Sequence, residues 1–355
     1  MHMISKVSFT KEHIDTIKEK YPKLDIQLIE RTIFAFGLLE ALSKVNLPFV
    51  FKGGTSLMLL LKNPYRLSTD IDIIVKPDCD VDSYLKEVAK IYPFIKSEEQ
   101  IRKGKNSIIK SHYKFFYESP STQTEIPILL DILFEENNYE RVLSKKIKSD
   151  FLISEGNDLE VSVPSIESIL GDKLTAFAPN TTGIEYAYIN KNGQTVEKTL
   201  EVIKQFLDCA QLIKEAQNFN EVLETYQRVV LSEIAYRGII ASYEDCLMDS
   251  FNAALSIFTR GAIFKDQYQH LLKGVRKIQN HIFGFDINGE TAYQYACLVM
   301  LMSARLIKQV DQISIVPQEP FTNKEFKPVN RIKRLNQEAF DIAATAIRLL
   351  ALEDK

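Results

Sequence analysis

The stretch that decides the reading of this chain is FKGGTSLMLLLKNPYRLSTDIDIIV, residues 51 to 75. The apolar run PFVF ends in Lys52, Gly53 and Gly54, and Thr55 and Ser56 open the run TSLMLLL. This spacing predicts a short strand stopped by glycine, with a helix behind it. A second strand is predicted over residues 69–76, and it carries Asp70 and Asp72. Alternate side chains of a strand share a face, so the two aspartates project together while Ile71 and Ile73 project the other way. Neighbouring carboxylates repel, and both stay ionised readily only beside a cation. Such oxygen-rich pairs suit magnesium, which takes one or two carboxylates, keeps waters and binds substrate phosphates. A solvated strand face is the other reading of an isolated pair.

The glycine turn upstream narrows the choice. Glycine lets the backbone approach a ligand closely, and a helix N-terminus offers unpaired amides to an anion, so Lys52 to Ser56 read as a phosphate cradle. Taken alone, the same residues also fit a tight turn in which Thr55 or Ser56 caps the helix. A cradle followed by two magnesium-type carboxylates is far more specific than either half.

Working outward, the 355 residues are enough for two ordinary domains. A hydrophobic fraction of 45% and a charged fraction of 26% exclude disordered and membrane classes. The net charge of −3 supplies no global basic field, so a nucleic-acid partner would have to be held by local patches. Cys79, Cys209, Cys246 and Cys297 lie far apart, without the paired spacing of a zinc site or a disulfide framework. They read as reduced thiols. No apolar signal core opens the sequence and no apolar run reaches about 18 residues, so the expectation is a cytoplasmic protein without membrane contact. Two helices are expected first, then strand, helix, strand, a helix over 81–91, and strands in NSIIKSHYKFFYES and EIPILLDILFEE. After about residue 163 helical periodicity takes over. The expected organisation is therefore α+β: a small mixed sheet with N-terminal helices over residues 1–163, followed by a mainly helical domain over 164–355.

The pattern GG[TS]S, about a dozen residues and then R-x-S-x-D-x-D resembles the nucleotidyltransferases of the DNA polymerase beta superfamily. The form KGGTSL...RLSTDIDIIV is most similar to the AbiEii/AbiGii-type toxins of type IV toxin–antitoxin systems. The resemblance is strongest over residues 48–76. It implies a polymerase-beta-like core in which Lys52, Gly53, Gly54, Thr55 and Ser56 bind a nucleoside triphosphate and Asp70 and Asp72 hold magnesium. Arg66 and Ser68 match the R-x-S, which braces the loop before the acidic strand; a phosphate contact and a surface ion pair remain open for Arg66.

Superfamily members supply a third carboxylate from a later strand, and Asp131 in EIPILLDILFE is the match. An unpaired acid there is costly to bury, and a metal would relieve that cost; an edge strand facing solvent is the alternative. SIESILGDKLTAF resembles the family's K-x-x-A helix, which makes Lys173 the lysine that reaches the phosphates. KQFLDCAQL resembles the K-D-x-x-D-L helix, with Lys204 and Asp208 matching and Gln205 where an acid is often seen. Asp208 is thus the further catalytic candidate, an i, i+4 pair with Lys204 being the alternative. APNTTGI lacks the arginine often found downstream of the lysine.

Arg102, Lys103, Lys105, Lys110 and Lys114, near Tyr113, Phe115, Phe116 and Tyr117, fit either a single-stranded RNA surface or one solvated and one buried strand face. Two further basic groups span Arg260 to Lys277 and Lys324 to Arg334. The five histidines show no ligand spacing and are given no role. The leading expectation is a magnesium-dependent enzyme, with two ions, that moves a nucleoside monophosphate from an NTP to an acceptor hydroxyl and releases pyrophosphate. The resemblance implies the 3′ end of tRNA as acceptor and a cognate antitoxin as partner. The alternatives are the same fold modifying a protein or phosphorylating a small molecule, and an inactive binding module for RNA or a partner.

Overall fold

The computed structural model describes residues 3–100 and 109–352. Arg102, Lys103 and Lys105 of the expected basic turn lie outside them. The chain divides into two compact units, Met1–Ser165 with Asn280–Phe285, and Ile166–Gln279 with Asp286–Lys355. The helical half of the sequence therefore returns a six-residue segment to the first unit.

In the first unit α1 (Lys11–Lys20) and α2 (Ile26–Lys44) precede β1 (Val50–Lys52), α3 (Gly53–Leu60), β2 (Ile71–Val75) and α4 (Val81–Val88). Then come β3 (Phe94–Gln100), β4 (Ile109–Glu118), β5 (Glu125–Phe134), β6 (Val142–Lys146) and β7 (Glu160–Pro164). The Asp25 carboxylate caps α2 by accepting from Gln27 and Leu28 N–H, and the helix behind it is buried almost all round. Among the described residues the seven strands form one mixed sheet in the order β3-β4-β5-β2-β1-β7-β6. β1 runs antiparallel to β2 and parallel to β7, while β2 and β5 are parallel. β3 and β6 escape the sequence reading because they are edge strands with mostly polar or half-exposed residues, which weakens the apolar signal that reveals central strands.

One face of the sheet is core. Tyr113, Phe115 and Tyr117 of β4, Ile128, Leu130 and Ile132 of β5, and Ile71 and Ile73 of β2 are all buried. Phe34 of α2 stacks on Tyr117 with ring centroids 3.6 Å apart, and the Tyr117 hydroxyl donates to Glu30 Oε1 at 3.1 Å. The alternation of a strand then commits Lys110, His112, Asp131 and Asp72 to the opposite face.

The second unit comprises α5 (Ile166–Ala176), a hairpin of β8 (Ala187–Ile189) and β9 (Thr195–Glu197), α6 (Thr199–Glu215), α7 (Phe219–Arg237) and α8 (Tyr243–Phe258). It continues with α9 (Lys265–Lys277), α10 (Tyr293–Lys308), α11 (Asn330–Lys333) and α12 (Gln337–Leu349). Gly171 lets α5 and α7 meet closely, since a Cβ there would stand 2.8 Å from Tyr226 N. No helix among the described residues is long and apolar enough to cross a membrane.

Candidate active site

Register across the sheet lines up one row of side chains. Lys52 of β1 is opposite Asp72 of β2, Asp72 is opposite Asp131 of β5, and Asp131 is opposite His112 of β4. Adjacent strands lie about 4.8 Å apart, so cation, carboxylate, carboxylate and imidazole are successive neighbours on one face. Lys52, Asp72, Lys110, His112 and Asp131 line a cleft of about 190 Å³. The His112 side chain is 16% exposed and that of Asp131 42%, with His112 Nδ1 2.5 Å from Asp131 Oδ1. Asp131 is therefore on a central strand, not an edge, and its partner is a histidine that the sequence leaves without a role. Only the β4–β5 register brings the two together, and no local pattern announces it.

Asp70 departs from the expectation. Strand β2 begins at Ile71, so Asp70 ends the incoming loop instead of sharing the strand with Asp72. Its carbonyl accepts from Thr55 Oγ1 at 2.6 Å and its Oδ1 from Thr69 Oγ1 at 3.3 Å. Among the described residues no group of three histidine, cysteine or acidic side chains is set to hold a metal.

The glycine turn is built against the acidic strand. Gly53 has φ +79°, and a Cβ on it would stand 2.0 Å from Asp72 Oδ2, so the carboxylate leans onto the space that glycine leaves. A Cβ on Gly54 would stand 2.5 Å from Arg66 Nη2 and 2.8 Å from Ser68 Oγ. Arg66 is 5% exposed and donates through Nη1 to Leu67 O at 3.2 Å. Buried there, it braces the loop through the Leu67 carbonyl. Leu67 N donates to His281 O and Phe283 N to Tyr65 O, each at 2.8 Å, so Asn280–Phe285 pins the same loop. Thr55 and Ser56 are fully buried, and the Ser56 hydroxyl donates to Gly53 O at 2.9 Å. Their hydroxyls hold the turn together. No side chain caps α3 at Lys52, which leaves its first-turn amides to the mouth of the turn.

In the second unit, Lys173 of α5 and Asp208 of α6 form a buried pair, Nζ to Oδ2 3.0 Å, at 7% and 0% side-chain exposure. Lys173 also donates to Gln205 Oε1 at 2.9 Å. Asp208 is thus no member of a solvated helix face, and Gln205, where an acid is often seen, supplies a neutral acceptor to the lysine. The aromatic residues near Lys110 and Lys114 divide as well. Tyr113, Phe115 and Tyr117 are core residues, which overturns their reading as a stacking surface, while Phe116 lies under Lys96 with Nζ 4.7 Å from the ring centre.

Residues 37–282 match the family model described as nucleotidyl transferase AbiEii toxin, type IV TA system. The chain belongs to the AbiEii nucleotidyltransferase toxin family. Among solved structures it is similar to the nucleotidyltransferase toxin MenT4 of Mycobacterium tuberculosis H37Rv, with 15% identity and a TM-score of 0.48 over 84% of this chain and 99% of that one. It is also similar to JHP933 of Helicobacter pylori, with 16% identity and a TM-score of 0.45 over 79% of this chain and 95% of that one. A search of curated proteins finds no match.

For an AbiEii nucleotidyltransferase the donor chemistry of the row fits a divalent ion. Two adjacent carboxylates supply hard oxygen ligands, and magnesium completes its shell with water and substrate phosphate in preference to a full protein cage.

Proposed function

We propose that the sheet face holding Lys52, Asp72, Asp131 and His112 binds magnesium and a nucleoside triphosphate, and that the enzyme transfers the nucleoside monophosphate to an RNA 3′ hydroxyl, that of tRNA in particular. The observation that carries this reading is the adjacency of Asp72 and Asp131 beside the Gly53–Gly54 turn. Asp72 and Asp131 hold the ion, and Asp70 lies two residues before Asp72 as the third acid named by the motif. The first amides of α3 face the triphosphate, with Lys52 adding positive charge at the end of β1. Arg66, packed against Gly54, keeps the turn in place. A bound divalent ion supplies charge neutralisation on the triphosphate and a lower pKa for the attacking hydroxyl. Asp131 receives the proton of that hydroxyl or orients it, with its own carboxylate steadied by His112. Lys173 and Asp208 lie in the second unit, and the family pattern alone assigns them to the nucleotide. A cognate antitoxin, as the family implies, is the protein partner that reverses growth arrest.

The test uses ATP, GTP, CTP and UTP labelled separately at the α and γ phosphates, with cell extract as the acceptor pool. Transfer of α-label into nuclease-sensitive material, lost in Asp70→Ala/Asp72→Ala, is the expected result. Label in protease-sensitive material replaces the RNA acceptor with a protein, and γ-label transfer replaces nucleotidylation with phosphorylation. Full transfer by the double variant overturns the assignment of the acids.

A further inference from the structure

Between Pro320 and Leu335 the chain carries five cations, Lys324, Lys327, Arg331, Lys333 and Arg334, against one acid, Glu325. In a protein of net charge −3 this is a strong local excess. Lys333 is committed locally: its Nζ donates to Gln318 O at 3.0 Å and lies 5.3 Å from the Phe340 ring centre. The other four are exposed, and among the described residues no ion pair or hydrogen bond engages their side chains. Several cations elsewhere in the same unit are paired: Arg228 and Arg237 with Glu224 and Glu233 at i, i+4, and Lys273 and Lys277 with Glu197.

The cations line a groove of about 840 Å³ with Pro320, Pro328 and Leu335, the last 61% exposed. The wall is built and not draped. Gln318 N donates to Asp341 Oδ1 at 2.8 Å and Arg348 Nη2 to Glu319 O at 2.9 Å. Phe321 N and O are both held by the Asn330 side chain, each at 2.8 Å. Lys327 opens a 3₁₀ turn, Lys327–Val329, that runs into the short helix Asn330–Lys333 with Arg334 just beyond, so these cations fall within one short stretch of the groove wall. Unbalanced cations crowded together repel one another and are relieved by a polyanion. Guanidinium groups also grip phosphate oxygens in pairs. The groove has no aromatic lining, whereas protein partners are usually anchored by buried aromatic residues.

We infer that this groove binds the phosphate backbone of RNA through Lys324, Lys327, Arg331 and Arg334. The inference rests on the RNA-acceptor reading and deepens it by naming a surface of the second unit that binds the acceptor.

The experiment follows binding of a fluorescein-labelled RNA hairpin with a single-stranded 3′ end by anisotropy, from low to moderate salt. Compared are the intact protein, Lys327→Gln/Arg331→Gln/Arg334→Gln and Asp72→Ala. The triple variant is expected to bind at least tenfold more weakly at low salt. Its slope of log affinity against log salt is expected to flatten by about 2, since each lost single-strand phosphate contact contributes roughly 0.7. Its melting temperature and its calorimetric NTP binding are expected to stay unchanged, because all three side chains are exposed. Asp72→Ala is expected to keep RNA binding while losing transfer, so failure of the site reading and failure of the groove are told apart. Equal affinity and slope in the triple variant overturn the inference. So does binding of poly-L-glutamate as tight as that of RNA, which would assign the groove to an acidic protein.

Discussion

His112 Nδ1 stands 2.5 Å from Asp131 Oδ1, across the antiparallel register of β4 and β5. A carboxylate acceptor requires the proton on Nδ1, and the bond fixes the rotation of a carboxylate whose other neighbour in the row is Asp72. Partners of this kind, behind a metal-binding carboxylate, are worth about 10- to 100-fold in metal affinity or activity.

His112→Ala should therefore lower nucleotidyl transfer by about 10- to 100-fold, with a matching loss of Mn²⁺ affinity in calorimetry. His112→Asn keeps a donor near the position of Nδ1 and should recover most of both. Equal defects in the two variants would show that ring volume, not the hydrogen bond, matters.

Gly53→Ala combines two penalties. The residue sits at φ +79°, where a side chain costs about 1–2 kcal/mol, and the new methyl would meet the Asp72 carboxylate. The expected outcome is a protein that still folds, with a melting temperature lower by several degrees and transfer reduced far more than that small loss of stability explains. Circular dichroism melts and initial rates read the two effects separately.

The Lys173–Asp208 pair should be costly to break and cheap to replace. Lys173→Met alone leaves a fully buried carboxylate with its lysine gone, at a cost of about 3–5 kcal/mol. The double variant Lys173→Met/Asp208→Leu should regain much of that stability in chemical denaturation while remaining inactive.

Asp249 gives the fold a pH dependence. Burial pushes its carboxyl above the ordinary carboxylate range, opposed by hydrogen bonds from Asn180 and Thr181. Asn180 donates through N and Nδ2 at 2.7 Å each, and Thr181 through Oγ1 at 3.0 Å. The folded chain thus holds this proton to higher pH than the unfolded chain does. The associated stability is complete below the unfolded value of about 4 and is lost as pH rises through the folded value. Asp249→Asn turns an amide donor toward those donors and should cost about 1–3 kcal/mol at pH 7. Thermal melts should show the deficit widening as pH falls toward the unfolded value, since only the chain with Asp249 gains stability on protonation.

Much of the site is legible in residues 51–75 because its chemistry is local. A glycine that takes a positive φ, a helix opening directly behind it and an acidic strand eighteen residues on, from Gly53 to Ile71, are all fixed by short-range geometry, and the family pattern lies in the same stretch. Strands β2 and β5 are equally legible, since they bury apolar side chains and read as apolar runs, whereas the short interior strand β7 gave no such signal. Edge strands β3 and β6 are not, because residues without a buried face carry no period-two signal.

The sequence by itself determined the α+β class, and its resemblance over residues 48–76 pointed to the nucleotidyltransferase family to which the chain belongs. Only the tertiary structure decided which acid stands beside which. Pairing across strands is set by register, and register is chosen by burying Tyr113, Phe115 and Tyr117 of β4, the last against Phe34 of α2, far from the acids in sequence. That burial faces His112 toward Asp131, as the parallel match of β2 and β5 faces Asp72 toward the same carboxylate. It leaves Asp70 on the loop and turns Arg66 inward against Gly54. The row from Lys52 to His112 exists because four strands separated in the sequence are brought edge to edge, and no stretch of sequence contains it.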